Sequence, residues 1–211
     1  MNKKIIIPIV IVFILLLIIG GVFYWWQWRS KPYLKTISKR VYVNSQEYEI
    51  KETPEGKILE NKKEGLVVKI PNGWTVKKDE EGIGIFSPEI EFDQYGGFLK
   101  SVREKGACWV SIDISKCKKI DPDVDTDAEI IRKHIIATQK DPEKMTQEGY
   151  EVIKVSDHLA LKEVHRQEGT ERYILVEIPI NNTIYSFSSG LIFSEKCLQE
   201  FNKILETVSI E

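Results

Sequence analysis

The chain has 211 residues with 30 Lys and Arg, 32 Asp and Glu and a net charge of −2, which gives room for one ordinary domain and an appendage. Residues 61–211 alone carry 21 Lys and Arg against 27 Asp and Glu. A nucleic-acid-binding domain needs a basic face, so this acidic balance argues against a nucleic-acid partner.

The N-terminal segment has the pattern of a membrane anchor. No charged residue occurs from Ile5 to Trp26, and nearly every residue there is apolar. About 22 residues at about 1.5 Å each give about 33 Å of helix, which is enough to cross a bilayer core of about 30 Å. A cleaved secretory signal is the alternative, but the apolar run exceeds the usual length of about 7–15 residues and no small-x-small site follows it. We therefore predict one N-terminal transmembrane helix within residues 1–28.

Aromatic and basic side chains follow the predicted span. Such rings anchor at a membrane interface, and such cations rest on anionic headgroups. The predicted interface residues are Trp25, Trp26, Trp28, Arg29 and Lys31. Lys3 and Lys4 favour a cytoplasmic N-terminus and an extracytoplasmic domain, whereas the basic residues after the span favour the opposite orientation. We expect the first arrangement, in a single-pass protein of the cell membrane, because a basic stub before an apolar run is typical of export signals.

Residues 29–60 are polar and begin with a basic stretch, so we predict a juxtamembrane connector there. Val41, Val43 and Tyr48 give this segment some strand character, which predicts one outlying strand. The globular domain is predicted to span residues 61–211.

Short apolar runs separated by turns predict the strands of this domain. Leu66, Val68 and Ile70 alternate with other residues, and Pro71 and Gly73 end that strand because Pro lacks an N–H and Asn-Gly favours a turn. The clearest strand is "ACWVSIDIS" at 107–115. Its side chains fall into two sets, with Cys108, Val110, Ile112 and Ile114 on one face and Trp109, Ser111, Asp113 and Ser115 on the other.

Two helices and four further strands complete the predicted domain. Thr126 and Glu129 form a capping box at the start of a helix with an apolar face. Strands are predicted at 150–155, 159–166 and 172–180, with a hairpin at Asn181-Asn182 into the next strand and a final helix from Ser194. The order of strands, helix, strands and helix predicts an α+β fold, in which an antiparallel β-sheet is flanked by helices.

Several stretches resemble the PsbP-like family. They are "IPNGW" after an extended strand, the hairpin into "GIFSP", the strand "CWVSIDIS" and the ending "IYSFSSGLIFSEKCLQEFNKILETVSI". The resemblance covers Gly65 to Ile210 and implies an antiparallel sheet between helices, a fold shared with a nuclear-transport factor that binds Ran. It also implies an accessory or assembly domain outside the cytoplasm without enzymatic activity, although photosynthetic members support a manganese–calcium cluster. The long apolar N-terminus fits a bacterial, membrane-anchored member.

An acidic loop precedes the first predicted helix. It contains Asp121, Asp123, Asp125 and Asp127. The spacing begins like a calcium loop, but Thr126 and Arg132 stand where Gly and Glu are required, which excludes an EF-hand. The four carboxylates remain candidate ligands for a hard cation such as Ca²⁺ or Mn²⁺. The alternative, which we prefer, is that they stabilise the helix N-terminus; no other cofactor is predicted.

The three cysteines allow one disulfide in an oxidising compartment. Cys108 and Cys117 are nine residues apart in an extended strand, about 30 Å, whereas a disulfide needs Cα atoms about 4.4–6.8 Å apart. If a disulfide forms, Cys197 therefore pairs with Cys117 or Cys108. Three unpaired thiols are the alternative.

Motifs of the common catalytic classes do not occur. The sequence has no nucleophile elbow, no Walker loop and no complete dinucleotide-binding glycine motif, so we expect no enzymatic activity. The preferred interpretation is a membrane-tethered, extracytoplasmic binding domain that supports a membrane or envelope protein complex. Its partners would be the lipid bilayer, through the N-terminal helix, and an unidentified envelope or membrane protein. The alternative is a tethered sensor or solute-binding module for a divalent cation or a small ligand.

Overall fold

The computed structural model describes residues 38–80, 82–93, 107–166, 172–192 and 195–211. The predicted anchor in residues 1–28 lies outside these ranges, as do the predicted interface residues Trp25, Trp26, Trp28, Arg29 and Lys31. Within the described ranges, no helix combines the length and the apolar character that a membrane span requires.

The described residues form mainly β-strands. The strands are β1 (Ser38–Tyr42), β2 (Glu49–Thr53), β3 (Gly56–Asn61), β4 (Leu66–Ile70), β5 (Thr75–Lys78), β6 (Ile83–Phe86), β7 (Trp109–Lys119), β8 (Tyr150–Val155), β9 (His158–Arg166), β10 (Arg172–Ile180), β11 (Thr183–Ile192) and β12 (Ser209–Ile210). The helices are α1 (Asp127–Lys140), α2 (Pro142–Gln147) and α3 (Glu195–Glu206), and one turn of 3₁₀ helix covers Ser45–Glu47.

Two antiparallel sheets contain these strands. The main sheet has the order β5-β6-β7-β11-β10-β9-β8, and β1 pairs with the C-terminal half of β7 beside β6. The second sheet has the order β12-β4-β3-β2. Because all the pairings are antiparallel, the α+β class predicted from the sequence is confirmed.

The larger core lies on one face of the main sheet. The alternate residues Val110, Ile112 and Ile114 of β7 are buried there, together with Phe201 of α3 and Leu66 of β4. The second sheet and α3 therefore cover the same face. Burial of these side chains is the main source of stability, since each fully buried aliphatic or aromatic side chain contributes about 1.5–3 kcal/mol.

Helix α1 covers part of the opposite face. Its buried residues Ala128, Ile131 and Ile135 pack against Cys117 of β7 and Ile184 of β11. The predicted capping box is confirmed, because the Thr126 side chain accepts from the Glu129 N–H and the Glu129 carboxylate accepts from the Thr126 N–H. The same cluster includes Leu161 of β9 and, partly buried, Tyr150 and Val152 of β8, so helix α1 packs across the side of this face that β8, β9 and β10 form.

The segment predicted as a connector, residues 29–60, is part of the domain from residue 38 onward. It contributes β1 to the main sheet and β2 and β3 to the second sheet, and it buries Tyr48 and Leu59 in the larger core. The compact unit spans Ile37–Glu211, so the domain boundary predicted at residue 61 is wrong. The strands of this segment contain few apolar residues, and charged residues alternate with them. The segment therefore has no apolar run that would indicate a strand of the domain.

Candidate functional site

An open cleft of about 540 Å³ lies on the face of the main sheet that carries α1, beyond the part that the helix covers. The strand register explains its position. Lys77 of β5 lies opposite Gly84 of β6, and Gly84 lies opposite Ser111 of β7, so all three residues are on one face. The other described lining residues are Tyr42, Lys78, Asp79, Gly82, Ile83, Phe86, Phe92, Trp109 and Asp113. Small-molecule sites in proteins typically have volumes of about 300–1,000 Å³, so the cleft can hold a small ligand.

Aromatic rings form one wall of the cleft. The Phe86 ring stacks on the Trp109 ring with centroids 6.1 Å apart and planes 15° apart. Phe92 meets Phe86 edge to face at 5.0 Å, and the Lys77 Nζ lies 3.1 Å from the Phe92 centroid. These contacts are of the stacked, edge-to-face and cation–π kinds that stabilise aromatic clusters. The wall is therefore a packed unit.

Glycine at position 84 leaves the space that this wall needs. A Cβ atom at Gly84 would lie 2.5 Å from the Phe86 Cζ, which is closer than any van der Waals contact. The Phe86 ring thus lies directly over the backbone of β6. A larger residue at position 84 would move the ring and alter the wall.

We expect Gly84→Ala to lower the free energy of unfolding by about 1–3 kcal/mol, because the buried Phe86 ring must leave its packed position. The measurement is urea unfolding followed by circular dichroism. Ser111→Ala, which changes the neighbouring position without adding atoms, is the control and is expected to stay within about 0.5 kcal/mol of the wild type. Equal stability of Gly84→Ala and the wild type would contradict the packing of the Phe86 ring over Gly84.

The floor of the cleft is polar. Ser111 and Asp113 of β7 point into it, and Ser186 of β11 lies directly opposite Asp113 in the register. Ser186 is 3% exposed and Ser115, two residues beyond Asp113, is 0% exposed. Neither hydroxyl has a hydrogen-bond partner among the described residues. Buried hydroxyls normally have a partner, so this side of the sheet has unused hydrogen-bonding capacity.

A partly buried cluster of charges lies on the same face, near the start of α1. The Arg40 guanidinium donates from Nη1 to the Glu177 Oε1 at 2.8 Å and from Nε to the Asp127 carboxylate. The Glu177 side chain is 7% exposed. Burial raises the pKa of Glu177 above its ordinary value, although Arg40 acts in the opposite direction. Because these contacts join β1, β10 and α1, we assign the cluster a structural role.

The four aspartates of the acidic loop do not converge. Asp127 pairs with Arg40, Asp125 pairs with Lys133 of α1, and the Asp121 Oδ1 accepts from the Asp123 N–H at 3.0 Å. Across the described ranges, no group of three or more His, Cys, Asp or Glu side chains is arranged to hold a metal ion. The structure therefore gives no support to a Ca²⁺ or Mn²⁺ site at Asp121, Asp123, Asp125 and Asp127.

The structure joins Cys197 to Cys108, one of the two pairings that the sequence left open. Their Cα atoms are 5.0 Å apart, and the bond connects the residue before β7 to α3 across the larger core. Cys117 is a buried free thiol on the other face, where burial raises its pKa. A thiol with a raised pKa is a poor nucleophile at neutral pH.

The residues of the cleft were not predicted as a site. The alternation of "ACWVSIDIS" placed Trp109, Ser111 and Asp113 together on one face of a strand, and in the structure that is the face of β7 opposite the larger core. The sequence did contain one signal of this site. The strand has an apolar face, and its other face carries polar and aromatic side chains. The remaining wall residues, Lys77 and Phe92, come from separate segments that only the fold brings together.

Comparisons with known proteins give distant structural neighbours. No protein-family model matches the chain, and no characterised protein matches it in sequence. A crystal structure from Bacteroides thetaiotaomicron VPI-5482 is 15% identical with a TM-score of 0.40 over 70% of this chain and 45% of that chain, so the match spans less than half of that protein. LpqN of Mycobacterium tuberculosis, described as involved in cell envelope biogenesis, is 13% identical with a TM-score of 0.42 over 84% and 96% of the two chains. Similarities at this level assign neither family nor function, and the resemblance to the PsbP-like family stays a prediction.

Proposed function

We propose that the chain is a non-enzymatic binding domain, held at the cell membrane by its N-terminal segment with the domain outside the cytoplasm, where it supports a membrane or envelope complex. The cleft carries the binding part of this proposal. Its volume suits a small ligand, and its lining combines aromatic rings with hydrogen-bonding side chains.

The disulfide supports the extracytoplasmic part of the proposal. Disulfides form and persist in oxidising compartments, whereas the cytosol keeps thiols reduced. The Cys108–Cys197 bond is buried in the core, so it is part of the folded domain. The uncharged run from Ile5 to Trp26 supplies the proposed anchor.

The second candidate function is a tethered sensor or solute-binding module. The cleft favours a small organic ligand for such a module rather than a divalent cation. Asp125 and Asp127 of the acidic loop are paired with Lys133 and Arg40, and cation binding would have to break those pairs.

The sidedness of the domain is tested with a single exposed cysteine. Asp157 lies in the turn between β8 and β9 with its side chain 93% exposed, so Asp157→Cys in a Cys117→Ala background places one accessible thiol on the surface. Intact bacterial cells that carry this full-length variant are treated with a membrane-impermeant maleimide. We expect labelling of intact cells equal to that of lysed cells, and no labelling of the Cys117→Ala parent.

Labelling that requires lysis would place the domain in the cytoplasm and overturn the proposal. The redox state is measured on the wild-type chain by acid trapping, unfolding and alkylation. We expect one alkylated thiol, Cys117, before reduction and three after it. Three thiols before reduction would remove the support that the disulfide gives.

A further inference from the structure

A second open cavity, of about 620 Å³, lies at the end of the main sheet where β10 turns into β11. We propose that this cavity binds a phosphate group, which either free inorganic phosphate or a small phosphorylated solute would supply. The cavity shares no described lining residue with the cleft, so phosphate binding here is a function beyond the one proposed above. The described lining residues are Arg132, His158, Pro179, Ile180, Asn181 and Asn182.

Three separate elements bring the polar lining residues together. Arg132 lies in α1, His158 begins β9, and Asn181-Asn182 is the turn between β10 and β11. Asn181 has a φ of 51°, in the left-handed region that asparagine adopts more readily than most residues. The Asn181 carbonyl accepts from the Arg132 Nη1 at 2.6 Å, and the Asn182 carbonyl accepts from the Cys117 N–H at 2.7 Å. The backbone of the turn is therefore fixed to α1 and to β7.

The side chains around the cavity keep donor groups available for a ligand. Arg132 uses only Nη1 for the Asn181 carbonyl, so Nε and Nη2, which lie side by side on the guanidinium, remain. Asn181 and Asn182 are exposed, and within the described ranges neither their amide groups nor the His158 ring has a hydrogen-bond partner. Each amide group donates two hydrogen bonds, and an imidazole ring donates at least one. The cavity thus presents unused donors from three elements.

The charge of the lining is positive. Arg132 forms no ion pair with any described residue, and no carboxylate is among the described lining residues. Two acidic side chains close in sequence are already paired, Glu129 with Lys119 at 3.5 Å and Asp157 with Lys154 at 3.1 Å. A cation would be repelled by the guanidinium, and an apolar ligand would cover a charge that has no partner, which is costly. The lining therefore favours an anion.

The distribution of the donors favours phosphate over a carboxylate. The Nε and Nη2 groups of Arg132 can together hold both oxygens of a carboxylate, in the usual bidentate arrangement. They can hold two oxygens of a phosphate in the same way, but the other oxygens of this tetrahedral group point elsewhere and need further donors. His158 and the amides of Asn181 and Asn182 supply such donors from two other elements. The volume of about 620 Å³ also leaves room for the organic part of a phosphorylated solute.

The test measures phosphate binding by the full-length chain in maltoside micelles, which carry no phosphate group. Inorganic phosphate and glycerol 3-phosphate are titrated at constant ionic strength with chloride as the reference anion. Calorimetry gives the affinity, and the NMR signals of the side-chain amides give the location. We expect saturable binding that shifts the signals of Asn181 and Asn182. Tighter binding of glycerol 3-phosphate would identify a phosphorylated solute as the source, whereas tighter binding of inorganic phosphate would identify the free ion.

Three variants each lower the net charge by one. Arg132→Gln removes the guanidinium and Asn182→Asp places a carboxylate in the cavity, and each is expected to weaken binding about tenfold or more, the effect of losing a hydrogen bond to a charged group. Lys133→Gln is the control, because its side chain is 65% exposed and pairs with Asp125 outside the cavity. We expect it to bind as the wild type does. Asn182→Asp keeps the contact between Arg132 and the Asn181 carbonyl, so the test stays decisive if Arg132→Gln disturbs the turn.

Several results would overturn the proposal. They are no saturable binding of either phosphate probe, equal binding of acetate and phosphate, amide signals of Asn181 and Asn182 that do not shift, or equal weakening by Arg132→Gln and Lys133→Gln. Maleimide labelling of intact cells is independent of phosphate binding. A domain that labels from outside but binds no phosphate therefore refutes this inference and leaves the proposed function standing.

Discussion

Replacement of both Cys108 and Cys197 by alanine is expected to lower the free energy of unfolding by about 2–5 kcal/mol. The disulfide joins residues 89 positions apart, and the chain-entropy model assigns about 4.5 kcal/mol to a loop of that length. Both side chains are buried in the larger core, so the loss of the two sulfur atoms also leaves small cavities. The measurement is urea unfolding of the full-length chain in detergent micelles, with and without dithiothreitol.

Reduction and the free cysteine supply the controls. Dithiothreitol is expected to lower the unfolding midpoint of the wild type toward that of the double variant, and to leave the midpoint of the double variant unchanged. Cys117→Ala removes a buried thiol outside the disulfide and is expected to lose about 1 kcal/mol while it remains sensitive to the reductant. A wild-type midpoint that does not respond to reductant after full unfolding and refolding would show that the bond does not contribute.

The elements with strict alternation were the predictable part of the fold. In β7 the residues Val110, Ile112 and Ile114 share one face as predicted and are buried there, and the cap at Thr126 forms as predicted. Both patterns depend on neighbours in the chain, which a sequence displays directly. The choice between Cys108 and Cys117 depended instead on which face of β7 receives α3, and that is a property of the tertiary structure.

The cleft was the least predictable feature for the same reason. Lys77 and Phe92 belong to separate segments, and their contact follows from the pairing of β5 with β6. The sequence predicted one outlying strand before residue 61 but did not assign this segment to the domain, because the segment adds few residues to the core, among them Tyr48 and Leu59. A strand that receives most of its stability from pairing with a neighbour has a weak apolar pattern of its own.

Arg40→Met is expected to lower the free energy of unfolding by about 3 kcal/mol at pH 7. Removal of one partner of a buried ion pair usually costs about 3–5 kcal/mol, because the other charge is left buried without a partner. The Glu177 side chain is 7% exposed and the Arg40 side chain is 28% exposed, so solvent relieves part of the loss and places it at the low end of that range. Lys154→Met, which breaks the exposed pair with Asp157, is the matched control and is expected to leave stability unchanged.

The pH dependence distinguishes this mechanism from a simple loss of packing by the Arg40 side chain. The pKa of Glu177 in the folded chain lies above its ordinary value. This carboxyl therefore stabilises the folded state fully at a pH below its unfolded pKa of about 4.3. That contribution to stability is lost as the pH rises through the folded pKa. Without Arg40 the folded pKa rises further. The loss caused by Arg40→Met should therefore be largest at pH 7 and shrink toward pH 4, where Glu177 takes up a proton. Addition of Glu177→Gln to Arg40→Met should recover stability at pH 7 and flatten the profile, whereas a loss that is constant from pH 4 to pH 8 would assign the effect to packing alone.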